Sequence, residues 1–148
     1  MIIQALKVVL EEAQIAARLK DGLAAANQLK DVTFSLVPGT VKVGGKFQVG
    51  FPIPFETQWT ASVLERDRKL AVRLAHVSVG MIGLSASMVT SQVMNALSQK
   101  LQDVPGLVVE NDTIILEPAV LLAAKGIRLD APVRRVDVMQ GRVEIEIG

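Results

Sequence analysis

From Asp31 to Ile82 apolar and polar residues alternate at a period of two, and this constrains the fold more than any other feature of the chain. "VTFSL" alternates up to Pro38-Gly39, "TVKV" runs to a second turn signal at Gly44-Gly45, and "KFQVGF" sets Phe47, Val49 and Phe51 on one side. Beyond Pro52 and Pro54, Phe55, Thr57, Trp59, Ala61 and Val63 share a face, while Glu56, Gln58, Thr60 and Ser62 take the other. The charged run "ERDRK" reads as a solvated hairpin turn, from which "LAVRLAHVSVGMI" returns as a long strand. Successive strand side chains point to opposite faces, so the pattern predicts an antiparallel meander over 31–84 in which each strand has one wet and one dry face. Pro52 and Pro54 cannot donate to a ladder, which puts their segment at an edge or bend of the sheet.

Elsewhere the period is close to 3.6. Ile2, Leu6, Val9, Leu10, Ala13, Ala16, Ala17 and Leu19 form one stripe, with Lys7, Glu11, Glu12, Gln14 and Arg18 largely opposite, predicting a long helix over 1–30. Its polar face mixes signs, so packing on the chain's own core suits it better than a membrane surface. Val89, Val93, Ala96, Leu97 and Leu101 make a second stripe, predicting a helix over 86–103 with a serine cap and a stop at Pro105-Gly106. The rest, 107–148, reads as strands joined at Asn111-Asp112 and Gln140-Gly141 with a short helix over 118–125. These readings predict one α+β domain over 1–148: a curved antiparallel meander sheet wrapped around a long N-terminal helix and a central amphipathic helix.

The totals narrow the functional classes. Sixteen basic residues stand against fifteen acidic ones, a balance unlike the basic excess of nucleic-acid binders. The aromatics share parity with Val and Ala on the dry face, which leaves no stacking platform for RNA. Cysteine is absent, so disulfides, thiolate metal sites and cysteine nucleophiles are ruled out together. The start "MIIQALKVVLEEAQ" lacks the features of a secretory leader, so the chain as given reads as cytoplasmic; removal of a leader would place it in the cell envelope.

Catalytic chemistry finds little support. His76, the one histidine, sits at the parity of Leu70, Val72 and Leu74 without a second ligand nearby, and is read as structural. Ser85, Ser87, Ser91 and Ser98 are not preceded by a nucleophile elbow. Gly44-Gly45 is too short to cradle a phosphate. Glu110, Asp112 and Glu117 read as turn punctuation, Arg134-Arg135 point to opposite faces, and acidic neighbours dilute Arg66, Arg68 and Lys69. The sequence predicts no enzyme, no cofactor and no metal site.

Phe47, Phe51, Phe55 and Trp59 recur at intervals of four, and they either fill a core corner or ring the mouth of an apolar cavity. The run from "GKFQVGFPIPFETQWTASV" through "LVVENDTIILEP", followed by "GIRLDAPVRRVDVMQGRVEIEIG", resembles small bacterial lipid-binding domains of the LmeA-like kind, themselves similar to the tubular lipid-binding (TULIP) superfamily. The resemblance lies in the order of elements over about residues 30–148. It implies an apolar groove for acyl chains between sheet and helix, lined by Phe51, Phe55, Trp59, Val72 and Leu74 from the strands and by Val89, Val93, Leu97 and Leu101 from the helix. The expected function is thus non-catalytic binding of a lipid or other amphiphile, with membrane-surface contact as a further possibility and no nucleic-acid partner. The alternative is a structural module that self-associates as a homo-oligomer and takes no small ligand.

Overall fold

The alternating stretches pair into long antiparallel ladders, because a strand with one apolar face must cover it against a second layer. The computed structural model describes residues 2–3, 5–23, 29–48, 50, 52–64, 69–80, 86–129 and 131–148. In chain order the elements are β1 (Ile2–Ile3), β2 (Leu6–Glu11), α1 (Glu12–Leu23), β3 (Leu29–Val37), β4 (Thr40–Gln48), β5 (Pro52–Leu64), β6 (Lys69–Val79), α2 (Ala86–Leu101), β7 (Leu107–Glu110), β8 (Thr113–Leu116), α3 (Pro118–Ala123), β9 (Arg128–Leu129), β10 (Val133–Met139) and β11 (Arg142–Ile147). A six-stranded sheet runs in the order β3-β4-β5-β6-β8-β7, and a three-stranded one in the order β10-β11-β2. β1 and β9 form a short parallel pair.

The two larger sheets pack against each other. Leu70 is buried with Val133 and Ile147, and Val63 and Leu116 of the large sheet meet Val136 and Ile145 of the small one around them. Each such side chain fully withdrawn from water contributes about 1.5–3 kcal/mol. At Leu36 the outer edge of β3 is held by other elements: the Leu36 amide donates to Glu12 Oε1 at 2.6 Å, and the Gly141 amide donates to the Leu36 carbonyl at 3.0 Å. The Gly39 amide donates to the Val138 carbonyl at 2.8 Å, tying the β3–β4 turn to β10. A residue satisfied in this way no longer offers its backbone groups to another chain.

Two irregularities bend the large sheet. The β3–β4 register shifts between Lys30 and Thr33, where Asp31 adopts φ 52°. The β5–β6 register shifts between Gln58 and Trp59, whose partners are His76 and Leu74, so that Ala75 is the extra residue. Such bulges increase local twist and re-aim the side chains beyond them.

The expected α+β arrangement is overturned: the structure is mostly antiparallel β-sheet with short helices only. There is no long N-terminal helix, because 6–11 is strand β2 and α1 starts at Glu12. "LKVVLE" satisfies a period of two as well as one of 3.6, Val8-Val9 favour a strand, and β11 supplies a partner with Lys7 Nζ 3.1 Å from Glu144 Oε1. Nor does the sheet enclose a central amphipathic helix. α2 lies against β6 and β7, α1 lies against β3, and the second layer comes mainly from the three-stranded sheet. Gly44-Gly45 is not a turn either, since β4 continues through it. A Cβ at Gly44 would lie 2.9 Å from Thr33 Oγ1 and 3.2 Å from the Phe55 carbonyl, so glycine permits the close approach of β3 and β5 there. The charged hairpin falls mainly on 65–68, and part of the helix expected over 1–30 falls on 24–28, outside the described residues, although Leu64 pairs with Lys69 at the hairpin's mouth.

Candidate functional site

The region with the greatest apolar content lies where α2 meets the large sheet. Trp59, Leu74 and Met94 are buried together, and Val41, Val43, Val72, Val77, Val93, Leu97, Val109 and Ile114 pack against them. Sheet register explains the gathering. Trp59 pairs with Val41 on one side and Leu74 on the other, and Val72 pairs with Ile114, which pairs with Val109. Directly paired residues share a face, so two adjacent rows of side chains, meeting at Leu74 and Val72 on β6, cross the sheet. The bulge at Ala75 then returns Val77, paired with Thr57, to that face.

The same bulge corrects the reading of His76. Simple alternation places it with Leu70, Val72 and Leu74, whereas it is exposed opposite Gln58. It has no part in the cluster.

Of the residues the resemblance proposed as lining, Trp59, Val72, Leu74, Val93 and Leu97 come together here. Phe55 is buried at another place on β5: its ring lies over Gly45, where a Cβ would touch Cε1 and Cζ at 3.4 Å. Leu101 is half-buried at the helix end and outside the cluster. Phe51 and the side chain of Val89 lie outside the described residues. Sequence reasoning missed Met94, whose spacing of three from Leu97 and seven from Leu101 was a usable signal. Pro52 and Pro54 belong to β5, an interior strand: they pair with Gln48 and Lys46 of β4, and the Pro54 carbonyl accepts from the Gly80 amide at 3.0 Å, just past the last β5–β6 pair, Phe55↔Val79.

The polar atoms of this seam are used internally. Trp59 Nε1 donates to Thr57 Oγ1 at 2.8 Å, and Thr57 Oγ1 donates to the Val43 carbonyl at 2.8 Å. Thr57 is 1% exposed, so this chain satisfies a hydroxyl that would otherwise be costly to bury. Among the described residues no buried side-chain polar atom lacks a partner, and no cluster of three metal-ligating side chains occurs. The rest of the cluster consists of branched aliphatic side chains, the Met94 thioether and the indole.

The β7–β8 turn braces the strand beside the cluster. Asn111 takes φ 52°, and the Leu74 amide donates to the Asp112 carbonyl at 2.8 Å. The Asp112 carboxyl is held below the usual aspartate range, first by the Thr113 hydroxyl and then by the Arg73 guanidinium, whose Nε lies 3.4 Å from Oδ2. A depressed carboxyl pKa contributes stability above the unfolded-state value, and that contribution is lost as pH falls through the folded-state value. In an NMR titration Asp112 is expected to protonate below its ordinary midpoint of about 3.9, and Thr113→Val should raise that midpoint. A midpoint unmoved by the substitution would refute the assignment to Thr113.

No described helix is long and apolar enough to cross a membrane. No protein-family model matches the sequence, and no curated protein or solved structure matches it significantly.

Proposed function

We propose that this chain is a non-catalytic domain that holds an acyl chain or similar apolar group between α2 and the β5–β6–β8 face. The reading begins with the LmeA-like resemblance. The observation that carries it is the separation of the interior into two clusters: the Trp59–Leu74–Met94 seam under α2, and the Leu70–Val133–Ile147 seam between the sheets. Among the described side chains the second cluster joins sheet to sheet without any from α2, so α2 can shift to admit a ligand while the sheets stay together. The self-contained Trp59–Thr57–Val43 hydrogen bonds support an apolar ligand, since they leave no polar group of their own for a substrate.

Trp59 is the only tryptophan, so its emission reports on this seam alone. Titrating delipidated protein with saturated fatty acids is expected to change that emission saturably. Burial is worth about 0.8 kcal/mol per CH₂, so affinity should rise on the order of tenfold for every two methylenes until the seam is full. Native mass spectrometry of gently extracted protein should show a retained amphiphile. Emission indifferent to fatty acids of every length, together with a protein always at its bare mass, would end the proposal.

A further inference from the structure

β2 ends the three-stranded sheet, and no described strand pairs with its other side. The phase of its ladder can be read. The Glu12 amide donates to the Gly141 carbonyl at 2.9 Å, and the β2–β11 register continues unbroken from Glu11↔Arg142 to Leu6↔Ile147. Bonded and non-bonded pairs alternate in an antiparallel ladder, so Leu10 and Val8 direct their backbone groups to β11 while Lys7, Val9 and Glu11 direct theirs outward. The Glu11 amide agrees with this phase: it donates to Gln14 Oε1, an exposed local partner, at 3.1 Å. The strand also carries exposed apolar side chains, with Leu6, Val9 and Leu10 at 39%, 46% and 37%. The edge of β3 is held at Leu36 by Glu12 and Gly141, whereas on β2 the one such bond among the described residues is the exposed contact of the Glu11 amide with Gln14.

We propose that the β2 edge is a self-association surface whose occupant is β2 of a second copy, antiparallel, in the register Val9↔Val9. Outward backbone groups of β2 occur only at Lys7, Val9 and Glu11, so the bonded pairs must join these residues to one another, with the exposed Gln14 side chain giving up the Glu11 amide. Centring the twofold axis on Lys7 sets two ammonium groups face to face, and centring it on Glu11 does the same with carboxylates. Centring it on Val9 places each Lys7 opposite the partner's Glu11 and each Val8 opposite the partner's Leu10. This register matches opposite charges on one face and apolar side chains on the other, which is how cross-strand pairs stabilise a sheet. The two three-stranded sheets then continue into one. The inference is independent of the lipid proposal, because Val9 and the seam under α2 share no residue.

Sedimentation velocity on the delipidated full chain at high micromolar concentration tests it. The wild-type chain is expected to dimerise. Lys7→Glu and Glu11→Lys each set like charges opposite one another across the axis and should weaken self-association about tenfold. Mixing the two variants should restore the dimer, since each strand then meets the opposite charge at both positions. Recovery on mixing also shows that neither variant has lost its fold. Val9→Pro, which removes the central outward N–H, should abolish association. A wild-type chain that stays monomeric, charge variants that associate as well as wild type, or a mixture that remains monomeric would each overturn the proposal.

Discussion

Replacing Trp59 by alanine should remove about 3–5 kcal/mol of stability, the range for truncating a buried large aromatic. The ring is 5% exposed and fills the space between Leu74 on β6 and Met94 on α2. The ladders to β4 and β6 fix the position of the strand that carries it, so movement of α2 alone cannot close the void fully. Truncation also takes away the indole N–H that donates to Thr57 Oγ1, inside a residue pair almost without solvent. Trp59→Phe separates the two effects. It keeps most of the ring and deletes the donor, so its cost should be nearer 1–2 kcal/mol, roughly that of an unsatisfied buried polar group. Urea unfolding followed by far-UV circular dichroism checks both, because the fluorescence probe is lost with the residue. Equal costs for the two variants would show that volume at this position is unimportant and would contradict the described seam.

Leu36→Ala is expected to cost about 2–5 kcal/mol. Leu36 is 0% exposed, the most completely buried apolar side chain among the described residues. Its backbone is held from outside the sheet by Glu12 Oε1 and the Gly141 amide, and from inside by the pairing with Val41. These constraints prevent β3 from moving in to fill the lost volume, which pushes the cost toward the upper part of the range. The measurement is again the urea midpoint. A loss below about 1 kcal/mol would mean that the site collapses freely and that the β3 edge is not fastened as described.

Turns and strand alternation were legible in the sequence because both are local. Asn111-Asp112 and Gln140-Gly141 join strands where their residue types suggest, and Gly141 takes φ 74°, a conformation costly for a residue with a Cβ. Five of the nine residues named as lining, Trp59, Val72, Leu74, Val93 and Leu97, meet in one cluster. They were named together as the lining that the resemblance implies, strand parity selecting the first three and helical spacing the last two.

Other features were beyond reach. The 6–11 segment fits a helix or a strand equally, and only the presence of β11, which follows it by more than a hundred residues, resolves the choice. The bulge at Ala75 inverts the parity of everything after it, and no residue type in "RLAHVSV" announces it. Glu12 looks like an ordinary exposed residue of a helix, yet its carboxylate accepts the Leu36 amide.

The chain's own order of residues determined the alternation of the strands from β3 to β6 and the turns at Asn111-Asp112 and Gln140-Gly141, since each depends on neighbours a few positions away. Tertiary structure alone decided that β2 is a strand, that two sheets rather than a sheet and a helix make the main core, and that Met94 completes the seam under α2. Those outcomes rest on pairings between distant segments, whose free energy exists only once the partners have met.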